Sequence, residues 1–349
     1  MTLFFVTDRA DAHVARFDAL FRTLTSDYEL VRMTYSAEGE PQTSLAGVLC
    51  DSWDALRGAL VAEGSVVVSG PLDTVSAHLA GEGFTHIGIS FATDVMVSAA
   101  QDAGTLTRLR NVVASLDAVV TDNYATENAL IAAGANPESI LRIPWGPDSS
   151  LQPGSITRSE CGWPEDRTIV LYPRSLEPHY DPDVFVEALS KVVATVPHVI
   201  AVFVEAGSLV ADTKERLASA GLSESAHFET LREPEVFRSM MGLADVVVVT
   251  PRTDGTSVTV MDAMALGVPV VSSLTAGSAE WVMEGITGWT FPVGNADALA
   301  GAIERALTSS AEHTALITAQ AKRLVESKAG WDSSSERLAG LIRGFLATH

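Results

Sequence analysis

Lysine is scarce in this chain. Its 349 residues hold only Lys191, Lys214, Lys322 and Lys328, so positive charge in the first half must come from arginine or histidine. Cysteine is scarcer still, with Cys50 and Cys161 far apart. That excludes a disulfide framework, and no zinc-type Cys/His spacing accompanies them. No stretch approaches the roughly 18 consecutive apolar residues of a membrane-spanning helix. The opening "MTLFFVTDRA" lacks a basic region ahead of an apolar core of signal length. A soluble, cytoplasmic protein is expected. Basic residues are outnumbered, 23 against 44 acidic, for a net charge of −21. Such a surface repels nucleic acid and anionic membrane. No nucleic-acid partner is expected, and without a basic amphipathic helix any membrane association should be peripheral.

What is present excludes disorder: 47% hydrophobic and 19% charged residues suffice for a packed core. The length suits two domains. Short apolar runs alternate with amphipathic stretches, the pattern of βαβ units and parallel sheets. "LFFV", "EGSVVVSG", "THIGISF", "LDAVVTDN" and "SILRIPWGPD" read as strands of a first domain, residues 1–150. A Gly-, Pro- and Ser-rich stretch, "GPDSSLQPGSITRSECGWPEDR", reads as a linker. The pattern restarts with "TIVLYPRS", "VIAVFVEAG", "SAHFETL", "ADVVVVTPR" and "GVPVVSS" in a second domain, residues 151–330. A tail helix over 331–349 carries the apolar stripe Leu338, Leu341, Ile342 and Phe345. Met240, Met241, Met261 and Met264 fall at helical spacing and read as core.

In open parallel sheets, ligands bind beyond the carboxyl ends of the strands. This directs attention to "TDGTSVTVMDAMALGVPVV", Thr253 to Val271. Thr256 or Ser257 can cap a helix from Val258 that Gly267 ends. The free N–H groups at that helix start form an anion site, and Gly255 lets backbone approach a ligand. Asp254 precedes the helix and Asp262 sits about one and a half turns inside it. Two readings stand. The acids simply stabilise the helix dipole, or they take hydroxyls on either side of a phosphate, as a nucleotide sugar would require. Asp262 strains the first reading, because its neighbours Met261, Ala263 and Met264 are apolar and a carboxylate there needs a partner. "DPD" at Asp181–Asp183 imitates a metal-binding Asp-x-Asp. It reads instead as a helix start with an Asp cap, Pro at the first position and Asp in the first turn, so no metal site is expected.

The segment resembles the donor-site motif of retaining GT-B glycosyltransferases of family 4 (glycosyl transferases group 1). "TIVLYPRSLEPHYDPDVFVEAL", "HFETLREPEVFRSMMGLADVVVVTP", "SAEWVMEGITGWTFPVGNADALAGAI" and "LRIPWGPD" extend the likeness in order. The resemblance implies an α/β GT-B fold, two Rossmann-like doubly wound domains facing a central cleft, with the tail helix packing back on the first domain. It implies a retaining, metal-independent hexosyltransferase. Such an enzyme moves a sugar from a nucleoside-diphosphate sugar, UDP favoured over GDP, to a hydroxyl of an unknown small-molecule or glycan acceptor. The nucleotide sugar is a co-substrate, and no cofactor is implied. Arg174 and Asp254 take the catalytic positions. Arg174, Asp254, Gly255, Thr256, Ser257, Val258 and Asp262 line the donor, with Asp262 at the ribose, and Phe228, Leu231 and Arg232 fall in the base-pocket segment. Asp8, Arg9, His13 and Asp94 are the candidates on the acceptor side. The chain departs from the family in lacking the lysine that follows the arginine, the glycine-rich loop after the first strand, and the N-domain histidine. Those gaps leave two alternatives: a non-catalytic GT-B-like partner or scaffold, and a nucleotide-sugar epimerase.

Overall fold

The computed structural model describes the chain apart from residues 1, 10–11, 36–38, 46–47, 63–64, 82, 99–100, 150, 153, 155, 197, 231–233 and 349, and apart from the side chains of 12–13, 35, 48, 62, 234–235 and 239. Two units emerge, one of Met1–Pro144 with Asp332–His349, the other of Trp145–Trp331.

Unit 1 is built from β1 (Leu3–Thr7), α1 (Ala12–Phe21), β2 (Tyr28–Arg32), β3 (Thr34–Tyr35), β4 (Pro41–Leu45), β5 (Val48–Cys50), α2 (Trp53–Ala62), β6 (Val66–Gly70), α3 (Ala77–Leu79), β7 (Thr85–Ile89), α4 (Thr93–Met96), α5 (Ala103–Ser115), β8 (Ala118–Thr121), α6 (Tyr124–Ala133) and β9 (Ile140–Arg142). Its main sheet has six strands in the order β2-β1-β6-β7-β8-β9, all parallel. Fully buried runs such as Val66–Gly70 are what helices on both sheet faces demand. The antiparallel β3-β4-β5 sheet had no signal in the alternating pattern, because its strands are short and carry few β-branched residues.

Unit 2 runs through β10 (Thr168–Tyr172), α7 (Pro182–Thr195), β11 (Val199–Val204), α8 (Val210–Ser219), β12 (Ala226–Glu229), α9 (Pro234–Met241), β13 (Val246–Val249), α10 (Val258–Ala265), β14 (Val270–Ser273), β15 (Trp289–Phe291), α11 (Ala296–Thr308) and α12 (Ala311–Lys328). Six parallel strands lie in the order β12-β11-β10-β13-β14-β15. Chain order therefore reverses between β10 and β13, and the crevice at such a switch point is where ligands bind in this architecture. Two cores flank the sheet, one around Tyr172, Phe185, Phe203 and Phe291, the other holding Met240, Met241, Met261 and Met264.

The chain closes with α13 (Trp331–Thr348), whose Leu338 and Ile342 are buried. The Ser334 hydroxyl donates to the Pro144 carbonyl at 2.8 Å, within unit 1. No helix among the described residues is long and apolar enough to cross a membrane.

The stretch expected as a linker is instead built into unit 2. Trp163 is buried and its indole N–H donates to Glu229 at 3.1 Å. Arg158 donates to the Leu243 carbonyl through Nη2 at 2.7 Å. Gly, Pro and Ser content signalled irregular backbone there, and the anchoring side chains carry no such signature.

Candidate functional site

The crevice starts from the loops after β10 and β13. The two are stitched together by buried hydroxyls. Thr250, just past β13, donates to the Tyr180 carbonyl at 2.6 Å. Tyr172 Oη, at the end of β10, donates to the same carbonyl at 2.7 Å. The Arg252 amide donates to the His179 carbonyl at 2.9 Å. Asp181 holds the sharp turn before α7 with φ +50°, a left-handed conformation uncommon outside glycine. It occupies the cap position but makes no side-chain cap bond; its carboxylate pairs with Arg252 at 3.1 Å.

These loops present Arg174 to the start of α10. Its Nη2 lies 3.3 Å from Asp254 Oδ2. Its Nη1 lies 3.4 Å from both Ser257 Oγ and Thr259 Oγ1. The guanidinium stacks on Tyr180, 3.8 Å from the ring centroid. Burial opposes the Arg174 charge, but Asp254 and the tyrosines 180 and 172 outweigh it and hold the group more firmly protonated than usual. His179 is shifted the other way, kept neutral by burial first and by Arg174 second. Arg174 Nε is buried without a hydrogen-bond partner among the described residues, and Asp254 Oδ2 has only its ion pair with Arg174. A buried guanidinium N–H left unsatisfied at a sheet's switch point marks a place where something else can bind.

Helix α10 begins where the sequence places it. Ser257 is the cap, and its hydroxyl accepts from the Val260 amide at 3.4 Å. Gly255, Thr256 and Ser257 are buried. Gly277 braces this loop from behind. A Cβ there would lie 2.2 Å from the Gly255 carbonyl oxygen and 2.6 Å from that of Asp254.

Asp262 has the partner its apolar surroundings require, and sequence reasoning did not find it. Only 2% exposed, Asp262 is gripped by Arg238 of α9. Nε donates to Oδ2 at 2.7 Å and Nη2 to Oδ1 at 3.0 Å. Arg238 Nη1 also reaches Asp148 at 3.2 Å.

The remaining candidates are scattered over both units. Phe228 stacks on Phe203 of the core, ring centroids 5.3 Å apart, with Lys214 Nζ 4.7 Å from its ring centroid, so at least one face is committed to packing. Leu231 and Arg232 lie outside the described residues, as does the His13 side chain. In unit 1, Arg9 stacks on Phe91 at 4.4 Å and Asp8 accepts from Thr74 at 3.4 Å, at the carboxyl ends of β1 and β6. Asp94 is corrected. Its carboxylate is buried and accepts from the Leu72 amide, the Ser90 hydroxyl and the Phe91 amide at 2.8, 2.8 and 3.1 Å. It locks the loop after β7. Among the described residues no group of three or more His, Cys, Asp and Glu side chains could hold a metal ion.

Fold and site together define a class: two parallel-sheet α/β domains of the GT-B type, with Arg174 and Asp254 paired at the switch point of the second. HepE of Anabaena, solved with UDP-glucose, superposes with a TM-score of 0.80 at 17% identity, covering 99% of this chain and 100% of that one. The lipopolysaccharide-biosynthesis glycosyltransferase WaaG gives 0.75 at 15% identity over 98% and 100%. Residues 155–323 match the family model "Glycosyl transferases group 1". A D-inositol 3-phosphate glycosyltransferase of Acidothermus cellulolyticus is 27% identical over 68% of this chain and 55% of its own length. A GDP-mannose-dependent phosphatidylinositol monomannoside mannosyltransferase of Mycolicibacterium smegmatis is 25% identical over 68% and 65%. The chain thus spans between 55% and 65% of the length of these two curated relatives.

Proposed function

We propose that the protein is a retaining glycosyltransferase that moves a sugar from a nucleoside-diphosphate sugar, UDP favoured over GDP, to an acceptor hydroxyl. The observation that carries this reading is the convergence of Arg174, Asp254 and the start of α10 at one crevice. Arg174 offsets the charge that grows on the departing diphosphate, and the α10 amides take its oxygens. Asp254 accepts hydrogen bonds from the sugar's hydroxyls, releasing part of its hold on Arg174 as the donor arrives. Asp262 takes the ribose hydroxyls. Two sources of positive potential already face the diphosphate, so the reading needs no metal. HepE in complex with UDP-glucose supports the uridine choice, and the glycosyltransferase names of the sequence relatives support transfer.

The test is a donor-hydrolysis screen across UDP-, GDP- and dTDP-sugars, joined to calorimetric titration with UDP and GDP. Arg174→Ala and Asp254→Ala should each lower turnover by about a hundredfold, the scale of losing one preorganised charge-stabilising group. Unchanged turnover in both would sink the assignment. Binding of neither nucleotide would favour a scaffold protein, and an altered sugar formed without acceptor would favour an epimerase. The anomeric configuration of the product, read by NMR, tests retention.

A further inference from the structure

Arg238 lies in the segment "HFETLREPEVFRSMMGLADVVVVTP" but is not among the site candidates read from it, yet it joins three segments of unit 2. Its fork grips both Asp262 oxygens, at 2.7 and 3.0 Å, and its Nη1 holds Asp148 at 3.2 Å. A buried ion pair is a poor device for stability alone. Well-packed apolar residues of the same volume usually serve as well or better, because two charges must be desolvated. Met261, Ala263 and Met264 around Asp262 are buried and apolar, so such a replacement would fit the setting. The pair's location gives it another use. Thr259 and Asp262 stand three residues apart on α10 and are neighbours on one face. Thr259 touches Arg174, so Asp262 continues the strip of helix that starts at the diphosphate-side arginine. Each carboxylate oxygen can accept more than one hydrogen bond. A carboxylate fixed from one side by a planar fork can offer its two oxygens to a vicinal diol from another.

We propose that Arg238 is a positioning residue for ribose recognition. It fixes the Asp262 carboxylate in one orientation so that both oxygens meet the ribose hydroxyls of the donor nucleotide, and Asp148 in turn fixes Arg238. This rests on the donor-site reading above. Lysine cannot replace it, since a point charge does not hold two oxygens in a plane.

The test compares UDP with 2′-deoxy-UDP on the intact protein by calorimetry. The wild type should bind UDP about tenfold more tightly, the worth of one hydrogen bond to a charged group. In Arg238→Ala and Arg238→Lys the ratio should fall towards one. A merely structural pair would weaken both nucleotides equally and leave the ratio intact, which overturns the proposal. A wild type with no preference also overturns it, while leaving Arg174 and Asp254 untouched. If UDP does not bind at all, the donor-site reading itself fails. Should the Arg238 variants not fold, Asp148→Asn reads the same ratio, with a partial fall expected and an unchanged ratio decisive against.

Discussion

Two buried carboxylates show how position alone sets a residue's use. Asp262 sits in a helix whose neighbours are apolar and is held by a guanidinium. Asp94 has no such cation and relies on three neutral donors. Burial therefore pushes Asp94 up, to about 6, and its hydrogen bonds pull it only partly back. The folded chain then holds a proton that the unfolded chain has already released between about pH 4 and pH 6. Where the native state binds more protons, stability falls as pH rises. The contribution is full below the ordinary carboxylate range and is lost as pH passes through about 6. Urea unfolding of wild type and Asp94→Asn at several pH values checks this. The wild type's advantage over the variant should be largest near pH 4 and should shrink by pH 7. A difference that stays flat across that window would show that Asp94 does not titrate there.

At the scale of elements, the donor loop depends on the neighbour behind it. The Ser273–Trp281 turn is tied by Ser278, whose hydroxyl donates to the Ser273 carbonyl at 2.6 Å, and by the Thr275 amide, which donates to Ser278 Oγ at 2.9 Å. It presents Gly277 to the carbonyls of Asp254 and Gly255 at a distance no Cβ tolerates. Gly277→Ala must therefore displace the 254–255 loop from Arg174. About 1–3 kcal/mol of stability should be lost, the usual cost of overpacking, with donor turnover falling at least about tenfold. Thermal unfolding and the hydrolysis assay measure the two effects, and full activity in the variant would mean that the loop is not held by this contact. Such couplings explain what the sequence made legible. Strands β6, β10, β11 and β13 announce themselves as apolar runs, and the cap and stop of α10 as Ser257 and Gly267, because these signals are local. The need of Asp262 for a partner was also legible, from its apolar neighbours. The identity of that partner was not, since Arg238 lies 24 residues away on a helix whose own pattern says nothing of where its arginine reaches. Gly277 was equally silent. Its φ is −75°, so no turn demands glycine there, and only the close approach of a distant loop does.

For the whole molecule the dominant quantity is the net charge of −21. Exposed ion pairs such as Arg305–Glu284 at 3.0 Å and Lys191–Asp297 at 2.6 Å contribute little each, and salt weakens them. Repulsion among the excess acids acts on the compact state as a whole, and salt weakens it too. The two effects oppose, and the count decides between them: 44 acidic residues share 23 basic ones, so with one cation to each acid 21 acids have none to lose. Screening reaches charges farther apart than about 30 Å at 10 mM salt, but those beyond about 8 Å at 150 mM. The melting temperature should therefore rise between about 10 and 300 mM sodium chloride, and scanning fluorimetry across that range measures it. Potassium chloride should act alike, because screening depends on ionic strength and not on the ion. A melting temperature that falls with salt would mean that the surface ion pairs outweigh the excess negative charge. A rise confined to one of the two salts would point to specific cation binding in place of screening.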